Sequence, residues 1–562
     1  MPEALSFGIL CNSLMLERWQ ADSIKHLRDH GIELKLIIVK ASGKEPVLQN
    51  RIRSKINRLF SRNALFYFFD RYFLHPESKR IVNYTDEATD IYKLFCTPEK
   101  RKYISFFHEK DLQTIREIGP HFLLRFGFGI IGGEILTIPQ YGIWSFHHGD
   151  EMKYRGGPPG FWEILNNEPV TGVILQRLNE RLDKGFILRK GWFKTQRHSY
   201  KGQLDQLYLQ TTRWPLQVCI AIQNGTHSEW LSDSKAPLYR APGNVTIAKF
   251  LYKLIWNRLM FHFNELTRAE DWNIGIIHRA IHDIVKWGWD PEEVQWFPKP
   301  KLSKFVADPF LLEIDGRSTV FFEYYSYRRS KGELYSMDIC DMQSFPKQIR
   351  KALQTENHSS FPFVFSFQGE YFLIPETHQD NRIVLYSLNH DTGQFGYNRT
   401  LVDHMSGVDP VILHYQNKWW LFFTRKDLPS VHLYIYYSQS LFDKFISHSN
   451  NPVKTDIRSS RPAGSFIRMD GWLIRPAQDC SWHYGARIVL NHVLKLSPFD
   501  FQEEKYLTVC PKGNYYSEGL HTINGNDRIT IIDGKEFRFL WSNFFHGLKR
   551  IANNRIGITG IW

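Results

Sequence analysis

The sequence predicts two folds in one chain: an α/β domain on a parallel sheet, then an all-β domain expected to close as a five-bladed β-propeller. Three observations predict this. The chain opens on a β-α-β pattern, its texture turns to short alternating strands after about Asp271, and a unit of about fifty residues recurs through the second half. At 562 residues the chain is too long for one ordinary core, so two or three domains are expected.

The opening elements come in order. FGILCN, from Phe7 to Asn12, is a short apolar strand. LMLERWQADSIKHLRDH is a helix stopped by Gly31, and LKLIIVK, from Leu34 to Lys40, is the next strand. A βαβ start implies a parallel sheet with right-handed crossovers. Residues from about 45 to 100 read as a helical insertion, because RIRSKINRLFSRNALFYFFDRYF is basic and aromatic at helical spacing. Then come a helix, DLQTIREIG, a buried strand, HFLLRFG, and another strand, GIWSFH. GFGIIG, from Gly127 to Gly132, fits GxGxxG but follows a later strand, where a dinucleotide fingerprint does not belong. TIAKFLYKLIWNRLMFHFNEL, from Thr246 to Leu266, is a second basic, aromatic helix that joins the halves. Each basic helix packs on its domain or lies on a membrane surface. The expected boundaries are 1–240, a helical linker over 241–270, and a propeller over 271–562.

In the second half, ADPFLLEIDGRSTVFFE, SFPFVFSFQGEYFLIPE, VDPVILHYQNKWWLFFT and SRPAGSFIRMDGWLIRP align on Pro309, Pro362, Pro410 and Pro462. Fourteen positions later stand Glu323, Glu376, Thr424 and Pro476, and EGLHTINGNDRITIIDG from Glu518 is a weaker fifth copy. A repeat of this length with several strands per unit is the mark of a propeller. In an antiparallel hairpin the start of the first strand lies beside the end of the second, so Asp308 should neighbour Glu323 and Arg461 should neighbour Arg475. With Glu376, Asp409, Arg425 and Glu518 in equivalent places, these charges should converge on one channel mouth. They form a binding or catalytic pocket, or ion pairs that hold the blades together.

The net charge of +13 points to an anionic partner such as a nucleotide, a polyanionic cofactor or a membrane surface. No nucleic-acid motif is present, so nucleic acid is not expected. The six cysteines include no CxxC pair, which argues against a disulfide framework and a zinc knuckle. No signal-peptide pattern and no apolar run of about eighteen residues occurs, so a cytoplasmic protein is expected, with attachment to a membrane surface open.

The stretch SFHHGDEMKYRGGPP, from Ser145 to Pro159, looks at first like a metal site. Adjacent histidines on a strand point to opposite faces, however, and rarely bind one ion. No metal is expected, and Asp150 and Glu151 should lie on a solvated loop. Tyr141 to Leu188 resembles the folate-dependent formyltransferase family, which includes methionyl-tRNA formyltransferases and N-formyltransferases of nucleotide-linked amino sugars. Tyr154-Arg155-Gly156, Pro159, Thr171-Gly172-Val173 and Leu182-Asp183-x-Gly185 match its pattern in register. The resemblance, over roughly residues 6 to 200, implies a Rossmann-like formyltransferase domain using 10-formyltetrahydrofolate. It implies His147 and Asp183 as catalytic residues, Ser145 where the family has Asn, and a structural role for His148. It places the folate near Phe126, Gly127, Phe128, Gly129 and Ile130, with Arg155 and Gly156.

Residues 271 to 535 are similar to the N-terminal propeller domain of plant glucosamine inositolphosphorylceramide transferases, and more distantly to five-bladed glycoside hydrolases that use Asp and Glu. The similarity implies Asp308, Glu376 and Asp409 as acid–base candidates, with Glu323 in the same propeller site. Arg461, Arg475, Gln478, Asp479, Glu518 and His521 would complete a sugar or phosphate site. The joint expectation is a glycan-biosynthesis enzyme that N-formylates a nucleotide- or lipid-linked amino sugar and binds or transfers it in the propeller. Two alternatives stay open: a propeller glycosyltransferase or glycosidase with a degenerate first domain, and a non-catalytic glycan-binding scaffold at a membrane.

Overall fold

A computed structural model of the chain describes residues 5–41, 62–85, 87, 90–180, 185–300 and 303–539. The chain divides into two compact units, Met1–Phe261 and His262–Trp562.

The first unit holds one eight-stranded sheet. Its strands are β1 (Ser6–Cys11), β2 (Glu33–Lys40), β3 (Tyr92–Cys96), β4 (Phe122–Arg125), β5 (Ile143–His147), β6 (Val170–Arg177), β7 (Phe186–Lys194) and β8 (Trp230–Leu231), in the order β8-β7-β6-β5-β4-β1-β2-β3. The strands from β3 to β5 run parallel, and β6, β7 and β8 turn antiparallel. The central strands are mostly apolar, because both faces are covered, with polar residues kept to their ends and to the site. Leu10, Leu36, Ile38, Leu123 and Ile143 pack with Leu112 and Ile115 of helix Glu109–Ile118 in one cluster. A second cluster joins Trp19 of helix Arg18–Asp29 to Phe161, Tyr200, Leu204, Ile247 and Phe250. The first helix ends as its sequence predicts, with Gly31 at φ 78° just beyond it.

The expected insertion over about 45–100 is corrected in part. Residues 42–61 lie outside the described residues, and Ala64–Tyr72 is a helix. Tyr92–Cys96, however, pairs with β2 as the sheet's edge strand. The second basic helix spans Asn244–Thr267. Among the described residues no helix is long and apolar enough to cross a membrane.

The second unit is built of antiparallel strands. Among the described residues they form five sheets, named I to V. Sheet I joins Arg268–Ile277 and Gln295–Trp296 to Ile523–Gly525 and Thr530–Phe539, so strands from the two ends of the unit pair side by side. Sheets II, III and IV open on the hairpins Lys304–Ile314/Arg317–Ser326, Ser360–Phe367/Glu370–Glu376 and Gly407–Tyr415/Lys418–Arg425. Sheet V opens on Ile467–Met469/Trp472–Asp479. Apolar clusters join I to II (Ile274, Val306, Val320, Ile531), II to III and IV (Phe310, Phe363, Leu373, Val411), IV to V (Trp420, Leu433, Leu473, Val493), and V to I (Ile474, Leu490, Ile523, Ile532).

The repeated prolines act through the residue before them. In sheets II, III and IV that residue, Asp308, Phe361 or Asp409, is left-handed at φ 54°, 47° and 49°. At each the ladder register breaks, between Ala307 and Phe310, Ser360 and Phe363, and Val408 and Val411. Proline keeps its predecessor out of the right-handed helical region, and a bulge re-aims a side chain. Sheet V departs from this. Gly464 sits at φ 137°, and a Cβ there would lie 2.1 Å from the Ile523 carbonyl, so the strand runs irregularly against sheet I. Arg461 therefore comes opposite Gln478, whose N–H donates to the Arg461 carbonyl at 2.8 Å. The expected pairing of Arg461 with Arg475 is corrected accordingly.

Candidate functional site

In the first unit the site residues gather at the carboxyl end of the parallel strands, where ligands bind in open α/β sheets. Ser145 and His147 are two apart on β5 and share a face. Ser145 is buried, and its hydroxyl accepts a hydrogen bond from Arg125 Nη1 at 2.7 Å. Arg125 is the last residue of β4 and stands opposite Ser145 in the ladder. Its Nη2 donates to the Gly129 carbonyl. His147 Nε2 meets the Tyr154 carbonyl at 3.0 Å, which makes that nitrogen the N–H. The loop closes tightly there: a Cβ at Gly149 would sit 3.0 Å from both His147 Nε2 and the Tyr154 carbonyl. Asp183 lies outside the described residues.

His148 points the other way, buried against Trp19, Phe146 and Tyr208. Burial, then His147 and Lys79, holds its pKa well below the ordinary imidazole value, so it stays neutral. Glu151 is buried rather than solvated, a correction to the expected loop. Lys190 pairs with Asp150 at 3.0 Å and Glu151 at 2.9 Å, which ties both acids down.

Around the expected folate position, Phe126 packs edge-on to Trp19, and the Phe128 side chain is in the core against Phe107. The Phe128 N–H donates to Asn12 Oδ1 at 3.0 Å. Gly127 lies against Asn12, Gly129 accepts from Arg125, and Ile130 pairs with Ile104 on a short side strand. Arg155 and Gly156 pair in parallel with Leu238 and Tyr239, and Arg155 Nη1 donates to the Ala236 carbonyl. Arg125 was missed in sequence. Its signal was a charge inside the apolar strand HFLLRFG.

In the second unit, residues from all five sheets meet in one buried network. The N–H groups freed by the bulges point at carboxylates of the preceding sheet. Asp308 N–H donates to Asp533, Phe361 N–H to Asp308, and Asp409 N–H to Glu376, at 3.2, 3.1 and 3.2 Å. His521 lies between two carboxylates, with Nε2 3.0 Å from Asp308 and Nδ1 2.6 Å from Asp533. Burial alone would lower its pKa, but Asp533 and Asp308 outweigh it and raise the imidazole to about 10. Its ring rests on Trp272, centroids 4.0 Å apart. Asp308, His521 and Asp533 are the one set among the described residues close enough to hold a metal ion. Each imidazole nitrogen has a carboxylate oxygen within 3.0 Å, although Nδ1 makes no well-aligned hydrogen bond.

Across the network, Asp409 accepts from Arg461 Nε and Gln478 Nε2, each at 2.6 Å. Burial and nearby Glu376 raise Asp409 to about 8 against the opposing pull of Arg461. Glu376 also loses solvation, but His378 at 2.7 Å, Arg461 and the Asp409 N–H more than compensate and hold it down at about 2. Glu323 is pushed well above the usual carboxyl range, by burial first and then by Asp308 and Glu376. Its Oε1 is buried without a hydrogen-bond partner, 3.8 Å from His358 Nε2. The cluster thus holds a protonated acid, Glu323, beside an ionised one, Glu376, an arrangement suited to acid–base work.

Four expected members stand elsewhere, the first being Arg425, which pairs with Asp427 at 3.3 Å near the surface. Arg475 is buried against Glu503 and the Ser459 carbonyl. Asp479 binds Arg487 and the Ser481 N–H, and exposed Glu518 accepts from the Phe537 N–H. Asp533, Tyr484, His358 and His378 were missed. Asp533 ends the weak fifth copy, and the other three lie in loops between repeat positions.

The N-terminal half matches methionyl-tRNA formyltransferases, and residues 297–531 match the family described as glucosamine inositolphosphorylceramide transferase 1, N-terminal. The transferase of Oryza sativa subsp. japonica is 30% identical over 207 residues, 36% of this chain and 28% of its own length. The methionyl-tRNA formyltransferase of Thermodesulfovibrio yellowstonii is 36% identical over 94 residues, 16% of this chain and 29% of its own. The chain thus spans under a third of the length of each. Among solved structures, WlaRD, a sugar 3N-formyl transferase, covers 60% of this chain and 98% of its own at 12% identity and TM-score 0.27. The catalytic domain of the Coprinopsis cinerea GH62 α-L-arabinofuranosidase covers 42% and 94% at 14% identity and TM-score 0.31. The formyltransferase-like half carries Arg125, Ser145 and His147, and the residues matched in the second half include Asp308, Glu323, Glu376, Asp409, Arg461 and Gln478.

Proposed function

We propose that this chain is a two-unit enzyme of glycan biosynthesis. Its first unit N-formylates a nucleotide- or lipid-linked amino sugar, and its second, read as a closed five-bladed propeller, binds or transfers that sugar. The observation that carries the reading is Arg125, Ser145 and His147 on one face at the carboxyl end of the central strands. 10-Formyltetrahydrofolate would supply the formyl group. A cationic donor beside an imidazole suits an amine attacking a formyl carbon, which needs a donor for the charge on oxygen and an acceptor for the amine proton. The pairing of Arg268–Ile277 with Thr530–Phe539 and the packing of sheet V on sheet I support the closed propeller.

The test is incubation with 10-formyltetrahydrofolate and a panel of nucleotide amino sugars, with mass spectrometry of the sugar. An N-formyl product lost in His147→Ala is expected. No product and no folate binding would overturn the reading.

Glu323 and Glu376 favour a second reading, in which the propeller itself cleaves or transfers a glycosyl group. On that reading Glu376→Gln or Asp409→Asn abolishes sugar turnover, while His147→Ala leaves it intact.

A further inference from the structure

We propose that Arg125 is the group that takes the charge on the formyl oxygen, doing from β4 what the family's Asn does from the Ser145 position on β5. This rests on the formyl-transfer reading of the first unit.

Arg125 carries a charge that no described side chain balances. Arg125 Nη1 and Nη2 donate to two neutral acceptors, the Ser145 hydroxyl and the Gly129 carbonyl. These aim the guanidinium without neutralising it. Among the described residues no carboxylate pairs with Arg125, and its Nε is buried without a hydrogen-bond partner. Burial alone acts on its pKa, and lowers it. Arg125 is half-buried with its Nε enclosed, and a partly desolvated cation with no counter-ion among the described residues is expected where an anion or a developing negative charge will arrive.

Position explains why Ser suffices at 145. Arg125 and Ser145 stand opposite each other in the parallel ladder, on the face that His147 shares. The Ser145 hydroxyl is engaged by the guanidinium and helps hold it in place. In the proposed step the amine nitrogen bonds to the formyl carbon, and the carbonyl electron pair moves onto oxygen, where Arg125 donates. The pair then returns as the bond from carbon to N10 breaks. His147 accepts the proton the amine loses and passes it to N10 as that bond breaks. The products are the N-formyl amine and tetrahydrofolate. A charged donor makes a shorter and stronger hydrogen bond to an oxyanion than a neutral amide does.

The test compares Arg125→Met, Arg125→Lys and the double variant Arg125→Met/Ser145→Asn. Arg125→Met should lose about a hundred- to a thousand-fold in kcat with KM little changed. Lys should restore part of the loss, and the double variant, with the family's Asn in place, should restore more. The melting temperature of Arg125→Met should equal or exceed that of the parent, because a partly desolvated charge with no described counter-ion has gone. A purely structural arginine predicts the opposite: a lower melting temperature and a kcat that survives. Formate serves as an activity-independent probe. It should raise the melting temperature of the parent protein and not that of Arg125→Met. If the parent transfers no formyl group, the proposed function fails while the formate shift still decides the role of Arg125. An equal formate response in both proteins, or wild-type kcat in Arg125→Met, overturns the inference.

Discussion

His521 shows how one residue couples this molecule to pH. Its imidazole is raised to about 10 in the folded protein because Asp533 and Asp308 flank it and outweigh burial. A raised pKa means stability that is fully present below the ordinary imidazole value and is lost as pH rises through the folded value. Unfolding by urea should therefore give a stability that declines between about pH 7 and pH 10, and His521→Gln should flatten that decline. The same substitution leaves Asp308 and Asp533 facing each other without a cation, so a loss of about 3–5 kcal/mol at pH 7 is expected. Glu323→Gln should behave differently. Glu323 is already held neutral by burial and by Asp308 and Glu376. The amide keeps its size and charge state, so stability should change by less than about 1 kcal/mol. A large destabilisation by Glu323→Gln would show the carboxyl to be ionised. These residues were legible in different degrees. Asp308, Glu376, Asp409 and Arg461 follow from the proline-anchored repeat, because the bulge before each proline in sheets II to IV fixes where the side chain points. His358, His378 and Tyr484 were not legible, since loop residues follow no period. Arg475 misled, because sheet V bends at Gly464 and shifts the pairing to Gln478.

At the scale of elements, periodicity named several strands and helices but not the edge strand Tyr92–Cys96 or the helices Tyr200–Leu209 and Trp214–Gln223, and Gly31 and Gly119 end their helices as their φ values of 78° and 60° require. Periodicity could not say which face of Asn244–Thr267 is buried, because that helix is apolar nearly all round. In the structure Ile247 and Phe250 are buried with Trp19 and Phe161, while Val245, Tyr252, Ile255, Trp256 and Leu259 are exposed. Between Asn244 and Asn264 the charged residues are Lys249, Lys253 and Arg258, with no acid. An aromatic and basic exposed face, with Glu265 near the helix's far end as its one acid, is suited to an anionic lipid surface, and we propose that contact for this helix. Sedimentation with vesicles of phosphatidylserine and phosphatidylcholine should carry the protein down. Ile255→Glu/Leu259→Glu should abolish this, with a change in stability of less than about 0.5 kcal/mol for exposed positions. Binding unchanged in the double variant, or a double variant that instead dissociates a dimer, would refute the lipid surface.

At the scale of the molecule, the second unit depends on strands nearly its whole length apart. Arg268–Ile277 pairs with Thr530–Phe539 through ten residues in register, from Arg268 opposite Phe539 to Ile277 opposite Thr530. The sequence showed Thr530–Asp533 only as the tail of a faint fifth repeat, because its partner strand lies at the other end of the unit and a repeat search compares copies, not ends. Three separate features depend on this last strand. Ile531 fills the cluster between sheets I and II, Ile532 fills the one between V and I, and Asp533 holds His521 and the Asp308 N–H. A chain ended at Ile529 would leave two apolar clusters open and the His521 imidazolium short of one carboxylate. Each buried isoleucine contributes about 2–5 kcal/mol and the broken ion pair about 3–5 kcal/mol, together comparable with the whole stability of a domain. Calorimetry of the full chain should show two transitions, one for each core. The chain ended at Ile529 should lose one of them and keep the other, with β1 to β8 still folded by hydrogen exchange. A second unit that still melts cooperatively without Thr530–Phe539 would show that the five sheets are held by face packing alone and that the end-to-end strand pair is dispensable.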